Sequence, residues 1–319
     1  MSKTLVWTMR RMVIPDDEPA VMAPSAAYRK LANHDVRTYA DRPSSSNELV
    51  ARIRDAEIVI NIRSTSKFTA DVLEQCPQLR LISIWGTGTD NVDLEASKAS
   101  GVHVTNTPGV SAIAVAEHTL ALIMAVAKQI VAVDGQVRQG KWPRAMVPQL
   151  RGKVLGLIGT GAIGREVATL GRAIGMRVIA WTFHPGGDTS DWVGFDDVFR
   201  QSDVVSIHVR QSRETAGVIR REHFEMMKPG AIFINTARGA IVKEDDLIHA
   251  LQTNRIAGAG LDVFEHEPLR PDSLLHSLPN VVLTPHAAGI TPETTEAGLA
   301  LAIDNVLAFL AGRPMNVVV

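Results

Sequence analysis

Cysteine is nearly absent from this sequence, since Cys76 is the only one among 319 residues. A single cysteine cannot form an intrachain disulfide, and it cannot supply the set of thiolates that a structural zinc site needs. A helical-looking stretch precedes it and Pro77 follows it, so a small buried hydrophobic side chain is a better interpretation than a nucleophile. We therefore expect a protein of the reducing cytoplasm that binds no metal.

An excess of one charge is lacking as well, because 33 Lys and Arg face 34 Asp and Glu. This balance predicts no broad attraction to nucleic acid or to an anionic membrane. No run reaches the roughly 18 apolar residues of a spanning helix, and the start of the chain is unlike a signal peptide. We expect neither a transmembrane segment nor a leader, and any bound anion must be held by local groups.

The length, with 45% hydrophobic and 21% charged residues, is typical of a globular protein with two domains. The first part contains five short runs rich in Val, Ile or Leu, and helical-looking segments separate several of them. These runs are 3–8, 35–39, 57–62, 79–84 and 102–105. Such alternation predicts a small parallel α/β unit.

A second α/β series follows an apolar stretch, 112–130, that we interpret as one buried helix. Six strand-like runs begin at Lys153, in the order VLGLIG, VIAW, VVSIH, AIFIN, IAGAGLDV and VVLTPH. Six strands in one series predict a complete doubly wound parallel sheet. After it, Thr291 and Pro292 have the N-cap and first-turn character that begins a helix. We expect this helix to run to about Leu310 and to return to the first domain.

The sequence GTGAIG follows the first of these six strands directly and opens a helical pattern. Gly159 permits a tight turn, Gly161 lets the backbone approach a pyrophosphate, and Gly164 lets the helix pack on the strand. The helix N-terminus offers free N–H groups and a positive end to the phosphates. Alone this pattern is a weak signal, but the flanking strand, the helix and five further strands predict a dinucleotide site.

Such a site usually has an acidic residue at the end of the next strand, and this sequence lacks it. Thr182 stands there, in the run WTFH, and it presents a hydroxyl where a carboxylate would reject a 2′-phosphate. Arg210 and His184 are candidates to contact such a phosphate. Specificity for NAD therefore loses its usual support, and we expect NAD or NADP as the cofactor.

Three polar patches follow later strands of the series, namely NTARG at 235–239, DVFEHEP at 262–268 and TPHAAG at 284–289. The carboxyl ends of parallel strands border the ligand crevice, so these patches are expected to converge. Hydride transfer to a 2-keto acid needs a cation for the carboxylate and the carbonyl, and an acid for the new alkoxide. Arg238 supplies the cation and His286 the proton donor. Glu267 supplies a carboxylate that would orient the ring and hold its proton.

Taken one at a time, these residues have ordinary interpretations. An arginine is more often a solvated surface residue, a histidine is more often structural, and Glu265 with Glu267 could form a plain acidic loop. Their joint placement after successive strands of a nucleotide-binding series favours a catalytic set instead.

Seven ordered segments resemble the D-2-hydroxyacid dehydrogenase family across almost the whole length, and within it most nearly the phosphoglycerate dehydrogenases. They are IRSTSKFTADVL, GTGTDNVDLEAS, VTNTPGVSAIAVAEHTLAL, GKVLGLIGTGAIGREVA, KPGAIFINTARGAIVKEDDLIHAL, IAGAGLDVFEHEP and LPNVVLTPHAAG. The resemblance implies that Arg238, Glu267 and His286 form the catalytic triad. It also implies an α/β protein of two doubly wound sheets, in which a Rossmann domain (111–289) is inserted into a smaller flavodoxin-like substrate domain (1–110 and 290–319).

The resemblance further implies contacts with the cofactor. Asp262 would face the nicotinamide amide, Ala162 and Ile163 would offer backbone to the pyrophosphate, and Thr87 would lie near the nicotinamide. The adenine would pack against a segment made of His208, Val209 and Arg210, where the family usually has a proline in place of the arginine. Further contacts are expected beside the triad, at Thr236, Ala237, Ala288 and Gly289.

Substrate contacts are implied at Thr87 and Gly88, at Arg63 with Ser64, and at Arg144 reaching from the partner subunit of a homodimer. Two arginines, one from each chain, suit a dianion such as 3-phosphoglycerate or a comparably anionic acid. In the alternative interpretation Arg144 is a solvated loop residue and Arg63 binds only the C1 carboxylate of a smaller acid.

Other functions stay open at this point. The triad also suits a glyoxylate or hydroxypyruvate reductase, and it does not exclude a phosphite dehydrogenase. Formate enzymes of this type lack the carboxylate partner of the histidine, so Glu267 argues against formate. A non-catalytic dinucleotide-sensing scaffold would be marked by an eroded triad or an appended interaction tail, and the sequence has neither sign.

Overall fold

The computed structural model describes residues 10–144, 146–185 and 191–319. The chain divides into two compact units. We call them the split unit, which comprises the described residues up to Ser111 together with Thr291–Val319, and the central unit, Ala112–Ile290. Each is built on one parallel sheet.

Among its described residues the split unit has five strands and four α-helices. The strands are β1 (Arg11–Ile14), β2 (Asp35–Thr38), β3 (Ile58–Asn61), β4 (Leu81–Ile84) and β5 (His103–Thr105). The helices are α1 (Ser46–Ile53), α2 (Ala70–Glu74), α3 (Leu94–Ala99) and α10 (Pro292–Leu310), with a short 3-10 helix at Ala26–Leu31. The strands are all parallel and lie in the order β2-β1-β3-β4-β5, which is the flavodoxin-like order.

Strand β1 corrects the sequence analysis. The strand predicted at 3–8 lies outside the described residues, and none is predicted at Arg11–Ile14, where the structure has β1. This strand pairs with both β2 and β3, and its Met12 and Ile14 are fully buried. It escapes sequence analysis because only three apolar residues stand between Arg11 and Pro15, which is shorter than the usual strand pattern.

The last helix belongs to the split unit, as its sequence predicts. The Thr291 side chain accepts the N–H of Thr294, and Pro292 occupies the first turn. The helix buries an apolar face that includes Leu299 and Ile303 in the same core as β1. In a second core, burial raises the pKa of the Cys76 thiol to about 11, so this cysteine is a hydrophobic packing residue rather than a nucleophile.

The central unit contains the six strands that the sequence predicts. They are β6 (Val154–Ile158), β7 (Arg177–Trp181), β8 (Val204–Ile207), β9 (Ile232–Asn235), β10 (Gly258–Leu261) and β11 (Val281–Leu283). Its α-helices are α4 (Ala112–Ala127), α5 (Ile130–Arg138), α6 (Ala162–Ala173), α7 (Phe195–Gln201), α8 (Arg221–Met226) and α9 (Glu244–Gln252), with 3-10 helices at Gly239–Ile241 and Leu274–Ser277.

These six strands are parallel and lie in the order β11-β10-β9-β8-β6-β7. Beyond β7 a single parallel bridge joins Ala180 to Trp192. When Trp192 is counted as the third strand position, the order becomes 3-2-1-4-5-6-7, whose first six positions have the order of a dinucleotide-binding sheet. The strand order reverses between β6 and β8, and ligands bind outside the carboxyl ends of strands at such a switch point.

The prediction of one helix over 112–130 is wrong in its last part. Gln129 has φ of +53°, in the left-handed region, and it separates α4 from α5 with a bend of 59°. Helix α4 buries Leu122 and Ile123, whereas α5 buries no residue. The apolar pattern of the sequence continues across this break, because a left-handed backbone conformation at one residue turns the chain without altering the pattern of apolar residues. Among the described helices none is long and apolar enough to cross a membrane alone, and α4 with α5 would qualify only as a bent pair.

Candidate active site

The GTGAIG segment forms the turn between β6 and α6. Gly159 has φ of +103°, and a Cβ there would lie 2.6 Å from the carbonyl carbon of His208. A Cβ on Gly164 would lie 2.2 Å from the carbonyl oxygen of Gly159. Both glycines are therefore required by close backbone contacts within the turn, which hold the start of α6 against the ends of β6 and β8.

Gly161 differs from these two, because a Cβ there would meet nothing within 4 Å. It is the N-cap of α6, and Ala162 and Ile163 after it are exposed and partly exposed. The first N–H groups of a helix have no intrahelical acceptor, and this helix end is positive. The turn thus has the space, the donors and the polarity for a pyrophosphate, so these residues fit a dinucleotide.

The strand ends beside the turn carry the residues predicted for the rest of the nucleotide. Thr182 directly follows β7 and is partly buried, and His184 and Arg210 are exposed. His208 follows β8, where its Nε2 lies 2.9 Å from Oγ of Ser206. Burial lowers the pKa of His208 to about 3, so its ring is neutral.

The predicted acid–base pair is in contact. Nδ1 of His286 lies 2.7 Å from Oε2 of Glu267, while Oε1 of Glu267 accepts the N–H of Phe264 at 3.0 Å. An ionised carboxylate only accepts hydrogen bonds, so Nδ1 carries the hydrogen and Nε2 is the ring nitrogen left for a substrate. The His286 side chain is 36% exposed, which leaves it accessible.

The pKa of Glu267 lies below its ordinary value. Burial alone would raise this pKa, but the hydrogen bond and charge of His286, the N–H of Phe264 and the charge of Arg238 together outweigh burial. The carboxylate is therefore ionised at neutral pH, next to a group that can become a cation.

Arg238 follows β9 and is half-buried. Its Nη1 donates to the carbonyl oxygen of Ala237 at 2.8 Å, and its own carbonyl oxygen accepts Nδ2 of Asn235 at 3.0 Å. A Cβ on the next residue, Gly239, would lie 1.9 Å from the carbonyl carbon of Phe264. This close approach of the β9 and β10 loops lets the charge of Arg238 act on Glu267, and the structure thus brings the three triad residues together.

Asp262 organises the loop that carries His286. Its carbonyl oxygen accepts the N–H of His286 at 2.7 Å. Its carboxylate accepts the N–H groups of Ala287 and Ala288, both at 2.9 Å, and the hydroxyl of Thr284 at 2.6 Å. Asp262 is 1% exposed, so this buried charge is held by three donors. Ala288 and Gly289, predicted as cofactor contacts, belong to the same loop.

Two further residues of this region were missed by sequence analysis. His118 and Thr119 lie on α4, where Nε2 of His118 lies 3.0 Å from Oγ1 of Thr284. Oγ1 of Thr119 lies 2.9 Å from Oγ1 of Thr236, which is itself a predicted cofactor contact. The available signal was a pair of adjacent polar residues in the middle of an apolar helix, to which the sequence analysis assigned no function.

The substrate residues predicted in the split unit follow two neighbouring strands. Arg63 and Ser64 come after β3, and Thr87 and Gly88 come after β4. Nε and Nη2 of Arg63 donate to the carbonyl oxygens of Glu18 (3.0 Å) and Pro19 (2.5 Å), so part of its hydrogen-bonding capacity is used within the unit. In the central unit, the predicted Arg144 is exposed in an irregular segment after α5.

Known proteins similar to this chain include members of a dehydrogenase family. The profile of the D-isomer specific 2-hydroxyacid dehydrogenase NAD binding domain matches residues 120–288. A glyoxylate reductase of Aeropyrum pernix is 40% identical over 292 residues, which are 87% of this chain and 87% of that protein.

Two other similarities bear on substrate and cofactor. A D-3-phosphoglycerate dehydrogenase of Archaeoglobus fulgidus is 39% identical over 270 residues, which are 82% of this chain and 51% of that protein. A solved acyclic imino acid reductase in complex with NADPH and D-Arg superposes with a TM-score of 0.90 at 30% identity, covering 97% of this chain and 100% of that one.

Proposed function

The chain belongs to the D-isomer specific 2-hydroxyacid dehydrogenase family, and from this premise we propose that Arg238, Glu267 and His286 are its catalytic residues. The reaction is hydride transfer between a nicotinamide cofactor and C2 of a small 2-hydroxy or 2-oxo acid. The observation that carries the proposal is the 2.7 Å contact of Glu267 with His286 beside the charge of Arg238.

His286 is the proposed acid–base residue. In the direction of reduction, bound NAD(P)H supplies the hydride. Nε2 of His286 gives its proton to the oxygen that was the carbonyl, and the ring becomes neutral while Nδ1 keeps its hydrogen on Glu267. In the reverse direction Nε2 takes the proton back. The ionised Glu267 thus fixes the tautomer of the neutral ring and stabilises the charged one.

Arg238 is the proposed substrate cation. An arginine guanidinium has five donors in a fixed plane, which suits a carboxylate and an adjacent carbonyl oxygen. Its Nη1 donates to the carbonyl oxygen of Ala237, which ties the guanidinium to the loop after β9.

The cofactor proposal is that NADPH is accepted at least comparably with NADH. The support is Thr182, which places no negative charge at the end of β7, and the exposed Arg210 and His184 at neighbouring strand ends. The similarity to a reductase in complex with NADPH agrees with this proposal.

We propose glyoxylate and comparably small 2-oxo acids as the substrates. The relatives named glyoxylate reductase support this proposal, because they share most of their length with the chain. The engagement of Arg63 with two backbone carbonyls supports it as well, since a small acid needs fewer cationic donors.

A second candidate is a phosphorylated acid such as 3-phosphoglycerate. One support is Arg144, which is exposed in an irregular segment, where no hydrogen bond among the described residues gives it a structural role. The other is the relative named D-3-phosphoglycerate dehydrogenase. A guanidinium offered to solvent suits a phosphate dianion.

A homodimer is the proposed assembly, formed through the described part of the segment 113–147. This segment exposes large apolar side chains, including Ile113 (65%), Trp142 (76%) and Met146 (99%). Helix α5 within it carries Ile130 and Val131 yet buries no residue. An apolar surface of this kind is typical of a subunit interface. Sedimentation of the wild type and of Val131→Asp tests the assembly, and a monomeric wild type contradicts it.

The function is tested by a turnover screen of 2-oxo acids with NADH and NADPH in parallel. We expect reduction of at least one small 2-oxo acid, its loss in His286→Ala, and unchanged rates in His249→Ala, which alters an exposed histidine on α9. A wild type that neither binds NAD(P)H nor reduces any such acid contradicts the proposal.

A further inference from the structure

His118 lies on α4, outside the three loops that carry the proposed triad. Its Nε2 lies 3.0 Å from Oγ1 of Thr284 and 3.6 Å from Oδ1 of Asp262. The side chain is 25% exposed. None of the roles assigned to the triad or to the cofactor contacts uses this histidine.

The donors and acceptors among His118, Thr284 and Asp262 can be assigned. Both carboxylate oxygens of Asp262 accept backbone N–H groups, and Oγ1 of Thr284 lies 2.6 Å from Oδ1. An ionised carboxylate only accepts, so the single hydroxyl proton of Thr284 is directed to Asp262. Oγ1 can then only accept from His118, whose Nε2 must carry a hydrogen. His118 therefore donates to Thr284, and Thr284 donates to Asp262.

Asp262 in turn fixes the backbone at His286. His286 has φ of +53°, a left-handed conformation that is unfavourable for a residue with a Cβ. Such a conformation persists only where the surroundings over-determine it. Asp262 supplies those contacts, since its carbonyl oxygen binds the N–H of His286 and its carboxylate binds the next two N–H groups.

We propose that His118 is a positioning residue of the reaction. By donating to Thr284 it fixes the Asp262 carboxylate, and thereby it holds the His286 ring in the orientation that proton transfer needs. A hydroxyl that accepts a hydrogen bond is a stronger donor, so His118 strengthens the bond from Thr284 to the buried charge. The inference rests on the proposed function, because the task of His118 exists only if His286 is the acid–base residue.

Thr119, the next residue of α4, contacts the loop that carries Arg238. The Thr119 hydroxyl donates to the carbonyl oxygen of Val115 at 2.7 Å, so its oxygen accepts from Thr236. Thr236 lies two residues before Arg238. Adjacent side chains of α4 therefore support the loops of two triad members, which is what a positioning helix requires.

The test uses four single variants of the full chain and the double variant that combines His118→Leu with Thr284→Val. His118→Leu removes the N–H that donates to Thr284, and Thr284→Val removes the hydroxyl that links His118 to Asp262. His118→Gln retains an N–H donor near the position of Nε2. His249→Leu, the same change at an exposed histidine of α9, is the matched control. We expect His118→Leu and Thr284→Val each to lower kcat about tenfold, in line with a hydrogen bond to a charged group. The KM of the 2-oxo acid should stay within about twofold, His118→Gln should recover to within about threefold of the wild type, and the control should be unchanged.

Two further readouts distinguish positioning from general destabilisation. The double variant should be no slower than Thr284→Val alone, because both changes break one chain of hydrogen bonds. The imidazole ¹⁵N signals of His286 should shift in His118→Leu and not in the control. If His118→Leu does not fold, Thr284→Val and His118→Gln carry the test.

Wild-type kcat and unshifted His286 signals in a folded His118→Leu would overturn the inference, as would effects that multiply in the double variant or a glutamine variant no better than leucine. These outcomes leave the proposed function intact when the wild type reduces a 2-oxo acid. A wild type without that activity would overturn the proposed function instead.

Discussion

Oε2 of Glu267 binds Nδ1 of His286 at 2.7 Å, so Nε2 is the only ring nitrogen left to serve a substrate. The second oxygen of the same carboxylate is fixed by the N–H of Phe264. The contact therefore sets orientation as well as charge. Removal of the ring and removal of the charge beside it should have different consequences.

His286→Ala and Arg238→Ala should each lower turnover by about 100- to 10,000-fold while the fold stays intact. The first variant lacks the proton donor, and the second lacks the cation that binds the carboxylate and polarises the carbonyl. Steady-state kinetics at saturating cofactor measure both effects, and circular dichroism checks the fold. Wild-type kinetics in His286→Ala would contradict the mechanism.

Glu267→Gln keeps an acceptor of the same shape and removes the charge. Reduction uses the protonated ring of His286, and the ionised carboxylate stabilises that form, so this variant should lose activity at a lower pH than the wild type does. A pH profile of kcat/KM for reduction measures the limit. An unchanged upper limit would mean that the charge of Glu267 does not hold the proton.

The same variant bears on acid stability. The pKa of Glu267 is lowered in the folded chain, so its stabilisation is present above the ordinary value of 4.5 and is lost as pH falls through the folded pKa. The wild type should therefore lose stability relative to Glu267→Gln as pH falls below about 4.5, and the difference should be small because the carboxylate is partly screened. Urea unfolding at several pH values measures the difference.

Gly161→Ala separates folding from cofactor binding. A Cβ at Gly161 meets nothing within 4 Å, so the free energy of unfolding should change by less than about 0.5 kcal/mol. If the backbone approaches a pyrophosphate there, the dissociation constant of NAD(P)H should rise by about tenfold or more. Fluorescence titration measures it. Gly164→Ala is the contrast, because its Cβ would lie 2.2 Å from the carbonyl oxygen of Gly159 and should destabilise the fold itself.

Sequence analysis found residues whose position in the fold follows from neighbouring elements of the chain or from the order of the strands. The glycine turn lies between one strand and the next helix, and Arg238, Glu267 and His286 each follow a strand of one parallel series. In such a series the strand ends meet at one edge, so position along the chain predicts position in space.

The features that it missed depend on contacts that the chain order does not contain. The burial of β1 comes from pairing with strands on both sides, and its own three apolar residues are too few to signal it. The break at Gln129 is a single backbone angle. His118 is separated by 166 residues from Thr284, so a polar side chain in an apolar helix could not be assigned a partner.

Cofactor preference follows from Thr182. The wild type should use NADPH at least comparably with NADH, because no carboxylate at this strand end repels a 2′-phosphate. Thr182→Asp should shift the ratio of kcat/KM values toward NADH by about tenfold or more, and Thr253→Asp, at an exposed position of the same unit, should not. A wild-type preference for NADH above about 100-fold, or about 2.7 kcal/mol, would show that the hydroxyl serves an unmodified ribose.

Arg144 decides between the two substrate candidates. It is exposed in the segment that the proposed dimer would use, and a guanidinium gains most from a ligand with a second, dianionic group. If a phosphorylated acid is the substrate, Arg144→Ala should raise the KM for that acid at least about tenfold more than the KM for glyoxylate. Arg200→Ala removes an exposed arginine that pairs with Asp196 inside α7, outside the proposed interface, and this matched control should alter neither constant. Equal effects of Arg144→Ala on both acids would remove the case for a phosphate site. Glyoxylate and similar small acids would then be the substrates, with Arg238 as the cation that binds their carboxylate.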